Sequence, residues 1–479
     1  MKGAIFDMDG LLTDTERMYQ GYWRELAEER GLTLDADFLA AICGSSGEGT
    51  NAVLRRYYPG YDPDELHAAC RKRMTAALER GVPLKPGVHT ILEGLRKRGF
   101  RVAVASSSNM ARVQQCLRGA DILRYFDVVV SGAELEHGKP APDIFLLAAE
   151  QLGLDARDCY VFEDSYNGIR AGYAAGCRSV MVPDLMPPTE EMRALSWRIF
   201  PDLAAAWAEI EKRELISRMK LYLFDMDGTL YLGNRLFPFT KELLAAIRAS
   251  GARYLFMTNN SSKSVEDYVA KLAALGIEAA REDFITSSQA TAYYLHRHHA
   301  GARLYVCGTE SLKAEFRREG FAVTEDADAA DCIVMGYNTE LTYRKLLDVS
   351  RVLTERPEIP YIATNPDLVC PTEFGYVPDC GSVCEMIFNA TGRRPTVIGK
   401  PSPLMPELAM ERLGCGRNET CVVGDRIYTD VKSGLNAGIT GILVMSGETT
   451  PETPAASEDR PNLVLRDAGE ILEILRGGN

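Results

Sequence analysis

Two pairs of aspartates, each with one residue between its members, recur in the two halves of the sequence. Asp7 and Asp9 follow an apolar run in AIFDMDG, and Asp225 and Asp227 repeat this layout in LYLFDMDG. Carboxylates gathered at one point repel each other, and a cation is needed to hold them ionised. The glycine after each pair allows a sharp turn, which can direct the carbonyl of the second aspartate to the same point. The pattern predicts an acidic, cation-binding site that occurs twice.

Three further features follow each aspartate pair in the same order: a hydroxyl residue after an apolar run, a lysine before a proline, and two acids. They are Ser106, Lys139, Glu163 and Asp164 in the first half, and Thr258, Lys400, Asp425 and Asp430 in the second. The distance from the lysine to one of these acids is 25 residues in both halves, from 139 to 164 and from 400 to 425. A lone serine or lysine would indicate little, but a repeated order and spacing indicates one chemistry used twice.

These residue types suit phosphoryl transfer. Oxygen ligands with few imidazoles or thiolates favour Mg²⁺, and a hydroxyl with a lysine can bind phosphate oxygens. We expect Asp7 and Asp225 to attack phosphorus and form an aspartyl-phosphate. We expect Asp9 and Asp227 to give a proton to the leaving oxygen and later to take one from water.

Two kinds of segment, which must position these residues, alternate along the chain. Short apolar runs such as GAIFDM, RVAVASS and CYVFED alternate with amphipathic segments, a pattern typical of parallel strands buried on both faces. The fold class is therefore predicted as α/β, with two tandem doubly wound parallel-sheet cores in residues 1–215 and 216–479. Each candidate residue comes at the end of a predicted strand, where ligands bind in such sheets.

The motifs resemble those of the haloacid dehalogenase-like phosphotransferases, and the resemblance covers almost the whole chain in two copies. The first copy, with DMDGLLTDTE, KPAPDIF and EDSYNGIRAGYAAG, is similar to the β-phosphoglucomutase and phosphoglycolate phosphatase type. The second, with FDMDGTLYLGN, TNNSS and GDRIYTDV, is similar to the NagD and 4-nitrophenylphosphatase type. The resemblance implies Rossmann-like cores and one Mg²⁺ for each copy.

The resemblance also implies a role for individual residues. The implied magnesium ligands are Asp7, Asp9 through its carbonyl, Glu163 and Asp164 in the first copy, and Asp225, Asp227 through its carbonyl and Asp425 in the second, with Asp430 supporting Asp425 or a metal-bound water. The implied phosphate-binding residues are Ser106, Ser107, Lys139, Thr258, Asn259 and Lys400.

Each copy carries one long insertion, at a different point. The first copy has it between residues 7 and 106, and the second between residues 258 and 400. We predict a helical cap at about 16–84 and a larger α/β cap at about 262–395, which would exclude water and select the leaving group. Within the caps, three positions are candidates for contact with substrate, with turn formation as the alternative. They are the loop CGSSGEGTN at 43–51, the pair Asn365 and Asp367, and Glu373.

The bulk properties limit the possible partners. Of 479 residues, 46% are hydrophobic and 25% charged, as in globular proteins, and the length calls for more than one core. A net charge of −13 disfavours nucleic acid and anionic membranes as partners. Without an apolar stretch of about 18 residues or a signal-peptide pattern, and with 12 scattered cysteines, we expect a cytoplasmic protein with reduced thiols.

Three functions remain open at this point. The first is a bifunctional Mg²⁺-dependent phosphatase with two separate sites for small phosphorylated metabolites, of the sugar phosphate, phosphoglycolate or nucleotide type. In the second, the N-terminal copy is a sugar phosphomutase. In the third, one copy is a non-catalytic regulatory or binding module. The sequence indicates neither the physiological substrates nor the oligomeric state.

Overall fold

The chain divides into two compact units, Met1–Lys212 and Arg213–Gly478. The computed structural model describes residues 2–34, 36–42, 48–78, 80–372, 374–450 and 457–477. Two predicted substrate contacts, Glu373 and most of the 43–51 loop, lie outside these residues. The predicted boundary near 215 lies close to the observed division.

The first unit is built on a six-stranded sheet. Its strands are β1 (Gly3–Phe6), β2 (Arg101–Ser106), β3 (Val128–Ser131), β4 (Cys159–Glu163), β5 (Arg178–Met181) and β6 (Arg198–Ile199). All neighbours pair in parallel, in the order β3-β2-β1-β4-β5-β6. Along β1, Ala4 and Phe6 pack into one apolar cluster and Ile5 into another. The central strand is therefore covered on both faces, as its uninterrupted apolar run predicts.

Helices cover this sheet and form its cap. They are α1 (Thr15–Arg30), α2 (Ala36–Ile42), α3 (Glu48–Tyr57), α4 (Pro63–Leu78), α5 (Val88–Lys97), α6 (Met110–Gly119), α7 (Asp143–Leu152), α8 (Tyr166–Ala174), α9 (Glu190–Leu195) and α10 (Leu203–Ser217). The first four lie between β1 and β2 and share a separate apolar cluster that contains Trp23, Phe38, Leu54 and Leu66. They form the helical cap.

The second unit repeats the core and adds a second sheet. Its strands are β7 (Leu221–Phe224), β8 (Tyr231–Leu232), β9 (Arg235–Leu236), β10 (Arg253–Thr258), β11 (Phe284–Thr286), β12 (Leu304–Cys307), β13 (Val323–Thr324), β14 (Cys332–Met335), β15 (Tyr361–Ala363), β16 (Val369–Thr372), β17 (Gly375–Pro378), β18 (Thr396–Val397), β19 (Thr420–Gly424), β20 (Thr440–Val444) and β21 (Leu463–Leu465). The core sheet has the order β11-β10-β7-β19-β20-β21, which matches the first unit strand for strand.

The cap of the second unit contains a five-stranded sheet, β13-β12-β14-β15-β18, and a hairpin of β16 and β17. The helices of this unit are α11 (Thr240–Ala249), α12 (Val265–Ala274), α13 (Ser287–His298), α14 (Glu310–Arg318), α15 (Tyr343–Glu355), α16 (Cys380–Thr391), α17 (Leu404–Leu413), α18 (Lys432–Asn436) and α19 (Gly469–Leu475). The predicted cap segment 262–395 includes β11, which in fact pairs with β10 in the core sheet. The apolar run PTVIGK, residues 395–400, contributes β18 to the cap sheet.

The predicted fold class, two doubly wound α/β cores with a helical cap on the first and an α/β cap on the second, is confirmed by this topology. The eleven cysteines in the described ranges are free thiols. Within the same ranges, no helix has both the length and the hydropathy needed to cross a membrane.

Candidate active sites

In the first unit, the candidate residues meet at the carboxyl edge of the sheet. Asp7 directly follows β1, Glu163 ends β4 beside it, and Lys139 reaches them from the loop before α7. The ammonium of Lys139 donates to Asp7 Oδ1 at 2.5 Å, to Glu163 Oε1 at 2.6 Å and to the Ala105 carbonyl at 3.1 Å. Lys139 therefore fixes one oxygen of Asp7 and links it to the next strand.

The two acids predicted after β4 have different surroundings. Glu163 also accepts hydrogen bonds at Oε2 from the backbone N–H and the hydroxyl of Ser165, at 3.1 and 2.9 Å, so both of its oxygens are engaged. Asp164 lies against Gly10, where a Cβ would come within 2.4 Å of Asp164 Oδ2. Because Gly10 also has a φ of +84°, only glycine suits this position. Asp7, Glu163 and Asp164 each offer an oxygen within 4.8 Å of the others.

The second unit repeats this arrangement, except that one acid bound to the lysine comes from a turn and not from the end of a strand. Lys400 donates to Asp225 Oδ1 at 2.6 Å, to Asp430 Oδ1 at 2.5 Å and to a backbone carbonyl at 3.2 Å. Asp425 lies against Gly228, at φ +82°, as Asp164 lies against the first glycine. Asp425 is thus the counterpart of Asp164, and Asp430, from the turn after β19, is the counterpart of Glu163.

The charges in both sites suit a divalent cation. Each site holds three carboxylates within 4.8 Å of one another and one lysine, so two negative charges remain uncompensated. Burial raises the pKa of Asp7 and of Asp225 well above the usual value, although the neighbouring lysine opposes this effect. Burial alone would lower the pKa of Lys139, but the charges of Asp7 and Glu163 outweigh it and keep the lysine protonated. Mg²⁺, which prefers carboxylate oxygens, fits this donor set and this charge.

The second aspartates of the two pairs differ in their contacts. Asp9 accepts hydrogen bonds from Thr15 at 2.6 Å and Ser108 at 2.9 Å, and Arg112 lies 3.4 Å away. Asp227 is exposed and accepts a hydrogen bond from the backbone N–H of Gly233 at 3.2 Å. Sequence reasoning did not identify Arg112, because an arginine in the first turn of a helix carries no signal for a partner 103 residues away.

The predicted phosphate-binding hydroxyls lie in matching turns. Ser106 Oγ accepts from the backbone N–H of Ser108 at 3.1 Å, and Thr258 Oγ1 accepts from that of Asn260 at 3.2 Å. Both hydroxyls are buried at the end of the strand next to the aspartate, whereas Ser107 is exposed.

Asn259 holds the lysine loop of the second unit. Its amide nitrogen donates to the Lys400 carbonyl at 2.9 Å and to Asp367 of the cap at 2.8 Å, and its oxygen accepts from the Lys400 N–H at 2.7 Å. Both amide hydrogens are used in these bonds. The geometry gives Asn259 a positioning role for Lys400.

Family models match parts of both units. A model of haloacid dehalogenase-like hydrolases matches residues 1–176, and two related models match residues 222–322 and 397–471. The acid sugar phosphatase of Staphylococcus aureus is 33% identical over 260 residues, which are 54% of this chain and 99% of that protein. The chain belongs to the haloacid dehalogenase-like hydrolases. The prediction of an enzyme of this family is confirmed.

The chain also resembles solved structures, including those of two phosphatases. The 4-nitrophenylphosphatase of Thermotoga maritima is 38% identical, with a TM-score of 0.52, and the match covers 54% of this chain and 98% of that one. The glycerol phosphate phosphatase of Mycobacterium tuberculosis, solved with calcium, is 31% identical, with a TM-score of 0.50, and the match covers 54% and 76%.

The second unit of this hydrolase encloses a cavity of about 410 Å³ at Asp225. Asp225, Thr258 and Lys400 line it from the core, and the cap adds residues that include Asp367 and Tyr337. The cap candidate Asp367 therefore faces this cavity. Asn365, the other described cap candidate, is buried and donates to Asp367 at 2.9 Å and to Asp379 at 3.2 Å.

Proposed function

We propose that this chain is a Mg²⁺-dependent phosphatase with two separate active sites, which act on small phosphorylated metabolites through an aspartyl-phosphate. The observation that carries the proposal is the strand-end aspartate with one oxygen fixed by a buried lysine, present in both units. Among the described residues, the second oxygen of Asp7 and of Asp225 has no hydrogen-bond partner, so it is available to a substrate.

In the first step, Oδ2 of the aspartate attacks phosphorus, and the bond from phosphorus to the ester oxygen breaks. The lysine holds Oδ1, which orients the carboxylate for this attack. Asp9 or Asp227 gives its proton to the ester oxygen, so the leaving group departs as an alcohol. Bound Mg²⁺ would supply the positive charge that allows a carboxylate to approach an anionic phosphate.

In the second step, a water molecule attacks the same phosphorus. Asp9 or Asp227, now ionised, takes a proton from this water as its oxygen bonds to phosphorus. The bond between phosphorus and the aspartate oxygen breaks, which releases inorganic phosphate and restores the free carboxylate. In both steps, the hydroxyls of Ser106 and Thr258, which are buried at the strand ends, donate to phosphate oxygens in this proposal.

The proposed substrates of the second unit are small. A volume of about 410 Å³ lies at the low end of the range of small-molecule sites. The names of the similar proteins, an acid sugar phosphatase, a 4-nitrophenylphosphatase and a glycerol phosphate phosphatase, support a phosphate monoester with a compact leaving group.

The test is phosphate release from a panel of sugar phosphates, phosphoglycolate, nucleotides and 4-nitrophenyl phosphate, with and without Mg²⁺. The variants are Asp7→Asn, Asp225→Asn and the double variant, and the controls are the exposed carboxylates Glu191→Gln and Asp328→Asn. We expect each single variant to lose a different part of the panel by roughly a thousandfold or more, and the double variant to lose all of it.

Other outcomes would contradict parts of the proposal. If a single variant changed no activity, the corresponding unit would be a silent module. If the unit retained by Asp225→Asn converted a sugar phosphate to its isomer without releasing phosphate, it would be a mutase. Undiminished turnover by the double variant would exclude both aspartates as nucleophiles.

A further inference from the structure

Two lysines in the cavity of the second unit have no role in the mechanism above. Lys263 follows β10 and Lys271 lies in α12, and both line the cavity with Asp227. Among the described residues, neither ammonium has a hydrogen bond or a carboxylate within 4.0 Å. The Nζ of Lys271 lies 4.2 Å from the centre of the Tyr231 ring.

Lys271 differs from the fully buried lysines of the described residues. The buried Lys139, Lys313 and Lys400 each contact two carboxylates. Lys271 is half-buried, and burial lowers its pKa, with Asp227 opposing this effect and Lys263 adding to it. A partly desolvated ammonium without an ionic partner is costly, so its presence in a cavity favours a ligand that supplies the missing negative charge.

The position of the two lysines indicates which part of a substrate they would meet. Lys400 contacts the nucleophile Asp225 and therefore faces the transferred phosphate. Lys271 instead lies over the ring of Tyr231, whose backbone pairs with that of Asp227, the residue that protonates the leaving oxygen in the proposed mechanism. Lys271 therefore lies on the side of the leaving group, and the exposed Lys263 lines the same cavity.

We infer that Lys263 and Lys271 form a subsite for an anionic group on the leaving group, either a carboxylate or a second phosphate. This inference rests on the proposed phosphatase function of the second unit. Asp367 and Asp379, which line the same cavity from the cap, would repel such a group and so help to direct it to the lysines.

The test compares esters that differ in one anionic group, in full-length protein carrying Asp7→Asn to remove the first unit's contribution. Glycerol 3-phosphate is compared with 3-phosphoglycerate, and fructose 6-phosphate with fructose 1,6-bisphosphate. We expect kcat/KM to favour the more anionic member of at least one pair. Lys271→Met and Lys263→Gln should each reduce that preference about tenfold, since a charge-assisted contact is lost.

Two controls separate this effect from a general loss of structure. Lys271→Arg keeps the charge and should retain most of the preference, and Lys241→Met, at an exposed lysine outside the cavity, should leave it unchanged. A preference confined to 3-phosphoglycerate would identify a carboxylate subsite, and one confined to the bisphosphate would identify a phosphate subsite. If the lysine variants kept the parental preference, or if the parent had none, the inference would be wrong.

A binding measurement keeps the subsite testable if the proposed function fails. Calorimetry on the double variant Asp7→Asn/Asp225→Asn, in which neither unit should turn substrate over, gives the affinities for 3-phosphoglycerate and glycerol 3-phosphate directly. If the Asp7→Asn protein released phosphate from none of the four esters, the proposed function of the second unit would be refuted. The subsite would then be supported only if Lys271→Met weakened 3-phosphoglycerate binding about tenfold more than glycerol 3-phosphate binding.

Discussion

Replacing Lys400 by methionine should destabilise the second unit strongly in the absence of divalent cations. The side chain of Lys400 is 3% exposed and contacts Asp225 at 2.6 Å and Asp430 at 2.5 Å. Methionine is close to lysine in length but carries no charge, so three neighbouring carboxylates would lose their counter-charge. Removing one partner of a buried ion pair costs about 3–5 kcal/mol. For a unit of this size, that loss corresponds to a fall of roughly 10 °C in Tm.

The loss can be assigned to one unit by hydrogen exchange. Backbone amides of β7 report the second unit and those of β1 report the first, so metal-free Lys400→Met should accelerate exchange only in β7. Lys139→Met is the matched variant and should have the reverse effect. The double variant Lys400→Met/Asp430→Asn should recover part of the stability, because it removes one of the three charges.

Two results would refute this reasoning. One is a change of less than about 1 kcal/mol in the free energy of unfolding of Lys400→Met, well below the cost of breaking a buried pair. The other is a simple addition of the effects of Lys400→Met and Asp430→Asn, because additivity would mean that the two charges do not interact.

Three further changes have definite expected results. Asn259→Ala removes two hydrogen bonds to the backbone of Lys400 and one to Asp367, so kcat of the second unit should fall about tenfold or more while KM changes little, as measured by steady-state phosphate release in the Asp7→Asn protein. Arg112→Met removes one of three side-chain hydrogen bonds that orient the carboxyl group of Asp9 and should lower kcat of the first unit about tenfold, measured in the Asp225→Asn protein, with partial recovery in Arg112→Lys. Burial raises the pKa of Asp379 to about 6, so the folded state binds this proton more tightly than the unfolded chain and stability falls as pH rises from about 4 to 6. Asp379→Asn should reduce that fall, to which the raised pKa values of Asp7 and Asp225 also contribute, and add up to about 3 kcal/mol at pH 7 in urea unfolding, whereas an unchanged pH profile would contradict the pKa shift of Asp379.

The clustering of the candidate residues follows from their positions at strand ends. A parallel sheet brings the carboxyl ends of its strands to one edge, so residues that directly follow neighbouring strands lie close together in space. The shared spacing of 25 residues therefore paired Asp164 with Asp425, and these two residues lie against equivalent glycines in the structure.

The second partner of each lysine could not be predicted in the same way. Glu163 ends β4, whereas Asp430 lies in a helical turn, Ile427–Val431, after β19. The turn brings Asp430 back over the strand end, where its Oδ2 accepts a hydrogen bond from the backbone N–H of Arg426 at 3.2 Å. Spacing along the chain cannot show that a residue at the end of a strand and a residue one turn beyond it reach the same lysine.

The local sequence pattern also could not predict which sheet a strand joins. Strand β11 has only three residues, too few for a recognisable apolar run, although it forms the edge of the core sheet. PTVIGK has the composition of a core strand, yet Thr396 and Val397 pair with β15 of the cap. An apolar run predicts that a strand is buried but not which sheet it joins, because that choice is made by contacts distant in sequence.

The two insertion points explain how one chemistry can work under two different caps. In the first unit the cap helices leave the core after β1, and in the second unit the cap leaves after β11, at the far edge of the sheet. Both strands are parallel to their neighbours, so both insertions begin at the carboxyl edge, where the aspartates and lysines lie. Any segment inserted after such a strand starts beside the active site, whichever strand it follows. The core can therefore keep one arrangement of lysine and carboxylates while each cap contributes different residues to the cavity beside it, as Asp367 does in the second unit.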